Sequence, residues 1–489
     1  MVTGMAPSVT RYRTPSVILT RQAIAEPGAL LARFNAIRVE LDVPGEFPPA
    51  VQAEAEAASA GVVLPERDET AVPFLTIDPP GSMDLDQAVH IERDGDGYRV
   101  RYAIADVPAF VAPGGAIDNE SRRRVATIYA PDQRSPLHPP KLSEGAASLL
   151  AGQVRPAFVW DMSLRGDAEG VEATVYRARV KSVDRLDYAG VQQAIDAGTG
   201  DERLLLLKEV GLKRIELERR RGGADLPMPE QEVTRGDQGQ FVLGFRPPLP
   251  IEDWNAQISL MTGMAAAEMM IKGGIGILRT MPPPDEGSVA RFRRQAKSLG
   301  IGWVDGESYG EFLRRLESTN PRHLALVHEA TALFRGAGYT PFEGKAPDQP
   351  MHSAVAAPYA HVTAPLRRLV DRFGLVVCEA LSSGRDVPDW TREALPTLPD
   401  LMQAGDRRAN AVDRACTDAV EAAIMVSHIG EIFAAVVVDH DDKNHTVVVQ
   451  LTDPAIVARA RGTSQPGSQV QVRVTGADVS KGTLELQLS

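Results

Sequence analysis

The rhythm of apolar and polar positions changes several times along the chain, and each change marks a region. Between Ala29 and Ile37, and again between Ala50 and Ala60, apolar and small residues recur at helical spacing on either side of a proline-bearing stretch, Val43 to Pro49. Residues 1–70 therefore read as a small, mainly helical module. From Val72 the rhythm becomes that of strands, and Phe74, Leu75 and Ile77 run into a carboxylate-rich loop. Beyond it, Val89 to Glu92 and the alternating Tyr98, Val100, Tyr102 and Ile104 flank the turn Asp94-Gly95-Asp96-Gly97, which is a hairpin pattern.

The middle of the chain is helical. Ile251, Trp254, Ile258 and Met261 fall on one face. Asn320 caps and Pro321 opens another helix, whose stripe of Leu324, Val327, Thr331 and Phe334 ends near Gly336. Lys208 to Glu218 mixes both signs of charge and runs into Arg219-Arg220-Arg221, the composition of a solvated helix face. After about Ile429 the texture turns to short β-rich stretches: Phe433 to Val438, Val447 to Leu451, Gln469 to Val474 and Thr483 to Leu488. Short strands at this spacing fit a small closed barrel of the OB type. The expected organisation is thus an N-terminal helical domain (1–70), a large central domain (71–430) and a C-terminal barrel (431–489).

Composition narrows the class. A chain of 489 residues exceeds one core, and 43% hydrophobic with 24% charged residues is ordinary for a soluble multidomain protein. No apolar run reaches the roughly 18 residues of a membrane span. Arg11, Arg13 and Arg21 are not followed by an apolar stretch with a cleavage site, so no secretory leader is visible and a cytoplasmic location is expected. Two cysteines, Cys378 and Cys416, exclude a disulfide framework and a zinc cage of CxxC pairs, and both read as reduced and buried. A net charge of −12 argues against a protein that coats nucleic acid, yet it permits a local basic channel for one strand.

Candidate chemistry lies in Thr76-Ile77-Asp78-Pro79-Pro80-Gly81-Ser82-Met83-Asp84-Leu85-Asp86-Gln87-Ala88-Val89. Asp78, Asp84 and Asp86 fall within nine residues, and the last two, two apart on an extended chain, aim to one side. Such carboxylates repel one another unless a cation sits between them. Oxygen donors without His or Cys suit Mg(II) or Mn(II), which can hold a phosphodiester and activate water. The same Asp, Pro and Gly also build ordinary turns, so composition alone leaves both readings open.

A second segment runs Tyr359-Ala360-His361-Val362-Thr363-Ala364-Pro365-Leu366-Arg367-Arg368-Leu369-Val370-Asp371. Thr363 as cap and Pro365 in the first turn predict a helix whose buried stripe is Leu366, Leu369, Val370 and Phe373. Arginines in a first turn oppose the helix dipole. Either an anion explains them, or Arg367 forms a surface pair with Asp371 four residues on.

The order of these residues resembles the signature of the ribonuclease II catalytic domain, RNB, in which TID is followed after five residues by an aspartate, a hydrophobic residue and two more aspartates. The downstream string YAIADVPAFVAPGGAIDNESRRR and the second segment are similar to the same family. So are TIYAPDQRSPLHPPKLSEGAASLL with its "LS…SL" pattern, GMAAAEMMI, and Ala411-Val412-Asp413-Arg414. The resemblance implies an α/β catalytic RNB domain between the helical N-terminal domain and an RNA-binding OB barrel. It also implies a 3′-to-5′ exoribonuclease that processively releases nucleoside 5′-monophosphates from single-stranded RNA with a free 3′ end. By family position Asp78, Asp84, Asp86 and Gln87 would face Mg(II), with Mn(II) as substitute, and Arg367 would clamp the scissile phosphate. Tyr129 would stack on bases, with Arg368, His361, Thr363 and Asp413 as further RNA contacts. No membrane and no obligate protein partner enter this picture.

Three departures matter. Gln87 stands in the place of the fourth aspartate, and an amide oxygen is a weaker ligand. Asp413 replaces a glutamate. Some seventy N-terminal residues are too few for the two cold-shock barrels of well-known relatives, and a helix-turn-helix or winged-helix unit would take their place. Two rivals stay open: an RNA-binding protein with an inactive centre, motivated by Gln87, and a metal-dependent phosphodiesterase acting on DNA or a small nucleotide.

Overall fold

Two prolines open the helices of the N-terminal region, as suits a residue whose missing N–H is not needed in a first turn. The computed structural model describes residues 22–23, 27–226, 230–235, 241–246, 248–317, 319–441, 443–451 and 453–489; the stretch holding Arg11, Arg13 and Arg21 lies outside the described residues. Strand β1 (Gln22–Ala23) is followed by α1 (Pro27–Glu40) and α2 (Pro49–Gly61). Among the described residues the N-terminal region is helical, but the two helices there do not share a core. Leu30, Phe34 and Ile37 of α1 are buried with residues from the far end of the chain, whereas Val51 and Ala55 of α2 pack with Phe74, Leu85 and Val107. A helix-turn-helix unit needs its helices packed on each other, and these two go to different cores.

The central region is built on a closed five-stranded barrel that the sequence pattern did not foretell. Its strands are β2 (Phe74–Asp78), β3 (Gln87–Asp94) and β4 (Gly97–Ala105), then, beyond α3 (Ala116–Arg124) and the short β5 (Ile128–Tyr129) and β6 (Arg134–Ser135), β7 (Val154–Leu164) and β8 (Glu172–Asp187). The order is β2-β3-β4-β7-β8, and the parallel pairing of β2 with β8 closes it, with Asp78 opposite Asp187. The hairpin forms at the expected place: Asp94 pairs with Gly97, and Gly95 takes φ 55°, a conformation glycine adopts without strain. Tyr98, Val100, Tyr102 and Ile104 enter one core with Phe158 and Trp160, while Ala103 and Ala105 on the opposite face enter another with Phe74 and Val159.

Helices α4 (Tyr188–Asp196) and α5 (Glu202–Arg221) follow the barrel. Asp201 caps α5, Gly222 ends it at φ 86°, and Arg219 is tied to Glu311, so the basic run is in part a structural contact. Strands β9 (Glu230–Arg235) and β10 (Phe241–Arg246) form a small sheet with β1. The expected long helix is α6 (Pro250–Gly273), which buries Ile251, Trp254, Ile258 and Met261. After β11 (Ile275–Thr280), α7 (Glu286–Ser298) and α8 (Tyr309–Arg314) comes α9 (Pro321–Ala330), capped by the Asn320 side chain as predicted. Strand β12 (Gly338–Glu343) pairs with β11, and β13 (Met351–His352) with β14 (Ala357–Pro358). Helices α10 (Leu369–Ser382), α11 (Asp389–Ala394) and α12 (Leu398–Met425) complete the central region.

The C-terminal barrel is closed, in the order β15-β16-β17-β19-β18, from β15 (Ile432–Asp441), β16 (Thr446–Leu451), β17 (Val457–Arg461), β18 (Gln469–Asp478) and β19 (Thr483–Leu488). Four of these five strands carry the stretches read from the sequence. Cys378 and Cys416 are free and buried. Among the described residues no helix is long and apolar enough to cross a membrane.

Candidate active site

The first motif is a loop pinned from both sides. Strand β2 ends at Asp78, the chain turns at Gly81 (φ 82°), and Ser148 then takes over its positioning. The Ser148 hydroxyl donates to the Met83 carbonyl at 2.6 Å and accepts the Leu85 N–H at 3.0 Å, while the Leu149 N–H donates to the Leu85 carbonyl at 3.0 Å. Asp84 thus sits between two anchored residues, and the pattern "LS…SL" supplies the anchor.

The second motif departs from expectation. Helix α10 begins at Leu369, not after Thr363, and Arg368 is its N-cap residue. The reason is that the backbone groups of the preceding turn are spent on other elements. The Leu366 N–H donates to Asp86 Oδ1 at 2.7 Å and the Ala364 N–H to Asp371 Oδ1 at 2.7 Å. The Thr363 carbonyl accepts from Gln87 Nε2 at 2.7 Å, the Pro365 carbonyl from His138 Nε2 at 3.3 Å, and the Arg367 carbonyl from the Thr127 N–H at 3.0 Å. Five residues, Asp86, Gln87, Thr127, His138 and Asp371, hold one short turn, and all but Asp371 lie outside the helix that follows it.

That turn separates the two arginines. Arg368, rather than Arg367, pairs with the buried Asp371, through bonds of 2.9 and 2.7 Å. The Arg367 side chain is 46% exposed, and its Nε lies 3.6 Å from Asp86 Oδ2. Of the two roles left open for Arg367, the pair with Asp371 is not the one adopted.

The carboxylates differ in their surroundings. Asp86 is buried; Oδ1 accepts from Leu366, whereas Oδ2 has no hydrogen-bond partner. Burial pushes its pKa up to about 8 against the pull of Arg367. Asp78 is pushed up to about 6, by burial and by the nearby Asp84, again against Arg367. Asp84 is engaged on both oxygens: Oδ1 accepts from Arg134 Nη1 at 2.6 Å and Oδ2 from the Tyr129 hydroxyl at 3.3 Å.

Among the described residues no three acidic, His or Cys side chains converge into a preformed metal cage. A magnesium-like ion does not need one, because it keeps several waters and is held by one or two carboxylates together with substrate phosphate. Asp78 and Asp86 fit that role. Both are hard oxygen donors whose charge the protein leaves poorly compensated, and Asp86 Oδ2 is an unsatisfied buried oxygen.

Around them, the structure places the other expected residues in four ways. Tyr129, at the end of β5, is 52% exposed, and the charges acting on it are Asp84, Arg367 and Asp86. Arg368, Thr363 and His361 lie behind the arginine turn. Thr363 is buried, and His361 Nδ1 is 2.7 Å from the Tyr339 hydroxyl, in a setting where burial and then Arg368 hold the ring neutral. Gln87 is bound at both ends of its amide, since Oε1 accepts from the Tyr102 hydroxyl at 2.6 Å while Nε2 serves Thr363. Asp413 stands apart, exposed on α12, in a recess of about 1060 Å³ shared with Glu421, Gln450 and Arg459.

Three contributors escaped the sequence reading: Ser148, Arg134 and Tyr188. The Tyr188 hydroxyl accepts from Asn255 Nδ2 at 3.4 Å, and Asp78 and Arg367 act on it. For Arg134 a signal existed. The Pro-Asp-Gln turn sets Arg134 opposite Tyr129 in the β5–β6 pair, beside a residue already singled out.

Carboxylates at the end of a closed barrel, an arginine aimed at them from a separate motif, and an OB-type barrel behind define the architecture of a ribonuclease II-type protein. The chain belongs to the RNB family: the RNB domain matches residues 66–379, and the RNase II-type exonuclease C-terminal S1 domain matches residues 431–489. Ribonuclease R of Thermotoga maritima is 26% identical over 433 residues, covering 82% of this chain and 59% of that protein. The chain spans about half the length of the curated relatives it matches, 59% and 46% for the first two. Among solved structures, the apo form of Mycoplasma genitalium RNase R superposes with a TM-score of 0.83 at 18% identity, over 94% of this chain and 78% of that one. Yeast Ssd1, a pseudonuclease, superposes with a TM-score of 0.64 at 17% identity, over 87% and 54%. The fold therefore accommodates a pseudonuclease too, and activity must be argued from the site.

Proposed function

We propose that this chain is a 3′-to-5′ exoribonuclease that hydrolyses single-stranded RNA, releasing nucleoside 5′-monophosphates processively. The observation that carries this reading is the meeting of Asp78 and Asp86 with Arg367, from motifs nearly three hundred residues apart, around one unsatisfied buried carboxylate oxygen. Asp78 and Asp86 would hold a divalent cation, Mg(II) or Mn(II), which when bound lowers the pKa of a water and neutralises phosphate charge. The half-exposed Arg367 guanidinium offers forked donors to the non-bridging phosphate oxygens and stabilises the charge that grows on them. As the water oxygen bonds to phosphorus, the bond to the 3′ oxygen of the penultimate nucleotide breaks and that oxygen takes a proton. Tyr129 presents a ring beside this centre for stacking of terminal bases without regard to sequence. The S1-type barrel and the helical N-terminal region would grip the incoming strand.

The test is a time course on 5′-labelled single-stranded RNA with Mg(II), beside the matching DNA and an Asp86→Asn variant. Conversion of the full-length strand to a short product that keeps the 5′ label, with RNA only and lost in the variant, is expected. Cleavage of the DNA would favour a general phosphodiesterase.

A second reading, an RNA-binding protein with an inactive centre, is favoured by one observation. Gln87 is neutral and its amide is taken at both ends, so this position adds no charge for a metal. RNA retarded in a gel yet never shortened with Mg(II) or Mn(II) would establish it.

A further inference from the structure

Beside Asp84 stands a cation that the chain itself supplies. Arg134 Nη1 donates to Asp84 Oδ1 at 2.6 Å, and its Nη2 lies 2.7 Å from Glu144 Oε1. The β5–β6 pair fixes its position by setting Arg134 across from Tyr129, whose hydroxyl reaches the other oxygen of Asp84. Asp84 is only 12% exposed at its side chain, so this is a sheltered ion pair and not a loose surface contact. The contrast with Asp86 is plain: one carboxylate has protein donors on both oxygens, the other keeps an oxygen with none.

We propose that Arg134 stands in for a second metal ion. The centre takes one divalent cation, on Asp78 and Asp86, while Asp84 is the counter-ion of Arg134 and not a ligand. This rests on the metal-dependent reading given above. Two-ion phosphodiesterase centres set their ions about 3.5 to 4 Å apart and need carboxylate charge for both. Here both oxygens of Asp84 are already engaged, one by a guanidinium and one by a hydroxyl, and Gln87 brings no charge. A second ion on Asp84 would have to expel the guanidinium, which would leave Arg134 near a dication and break a sheltered pair; both cost energy. Arg134 keeps N–H donors beyond those its two carboxylates use, so it can also bind phosphate as a permanently charged group. Such a group needs no supply from solvent.

The test is direct Mn(II) binding to the full chain, alone and with a nucleoside 5′-monophosphate to supply the phosphate, by titration calorimetry and by the free Mn(II) spin-resonance signal. Wild type is expected to bind one ion per chain and Arg134→Ala two, whereas Arg134→Lys returns to one. Asp84→Asn still binds one, with affinity within about 100-fold of wild type, the range of an outer contact. Asp86→Asn loses far more. Two ions on wild type, one on a folded Arg134→Ala, or a loss of binding in Asp84→Asn as large as that in Asp86→Asn would overturn the proposal while leaving the nuclease reading in place. Should Arg134→Ala melt early in a circular-dichroism scan, Asp84→Asn and wild type decide the matter. Absence of any Mn(II) binding by wild type would overturn the metal-dependent reading as well.

Discussion

The Leu366 N–H donates to Asp86 Oδ1 at 2.7 Å, joining two motifs that lie 280 residues apart. Because Arg367 is the next residue, this bond sets the distance between the buried carboxylate and the half-exposed guanidinium. The geometry of the centre is thus carried by the backbone, and side-chain changes around it separate into those that alter charge and those that loosen the turn.

Arg367→Ala and Arg368→Ala are expected to fail differently. Losing Arg367 removes the half-exposed guanidinium proposed to bind phosphate, so kcat is expected to fall by about 10² to 10³ with little change in stability. Losing Arg368 strands Asp371, whose side chain is 0% exposed, and costs about 3 to 5 kcal/mol. Single-turnover kinetics beside denaturant melts separate the two; equal stability losses would contradict this division.

Replacing Gln87 with aspartate is not expected to raise activity. The shorter carboxylate cannot donate to the Thr363 carbonyl as the amide does at 2.7 Å, and it brings a negative charge toward that oxygen. A fall of about ten-fold in kcat is expected from the loosened arginine turn, at a cost of about 1 to 2 kcal/mol in that one bond. A gain in rate with Gln87→Asp would show that the missing charge matters more than the bond.

Asp86 and Asp78 give the metal-free protein a characteristic pH dependence. Burial raises their pKa values to about 8 and about 6, so the folded state binds these protons more tightly than the unfolded chain does. The stability this gives at low pH is lost as pH climbs from about 4, the unfolded value, through the folded values. Calorimetric melting in EDTA is expected to show Tm falling between roughly pH 5 and 8, with Asp86→Asn more stable than wild type at the upper end by about 2 to 5 °C. A wild-type Tm that rises over this window would refute the account.

Tyr129→Ala should weaken the hold on RNA ends without weakening the fold. The ring is 52% exposed and carries only the 3.3 Å bond to Asp84. In an Asp86→Asn background, anisotropy titration with a short labelled RNA is expected to show Kd rising by about 5- to 100-fold, the worth of one stacked base. An unchanged Kd would remove Tyr129 from the path of the strand.

Much of this was legible in the sequence where local signals and final structure agree. The Asp94 to Gly97 hairpin, the Asn320 cap and four strands of the C-terminal barrel were all marked by alternation or turn residues. The catalytic barrel was not, because β7 runs buried from Pro156 to Trp160 without a break, so the two-residue period that identifies a half-buried strand is missing. The start of α10 was misplaced for another reason. Thr363 and Pro365 are good helix openers, but bonds from Asp86, Gln87, His138 and Thr127 hold their backbone in a turn. Arg134 meets Asp84 across fifty residues, a distance at which no spacing rule operates.

The packing of α1 has a consequence for how the chain is made. Leu30, Phe34 and Ile37 are buried against Phe241, Val412 and Cys416, in a core that also takes in Val437, Val449 and Leu486. During synthesis at the ribosome this helix emerges hundreds of residues before its partners, with its apolar stripe in water for all that time. Folding of this core must await translation past Leu486, and a transcript cut short before α12 would yield a nascent chain with a sticky, unsheltered helix and a ready target for chaperones and proteases.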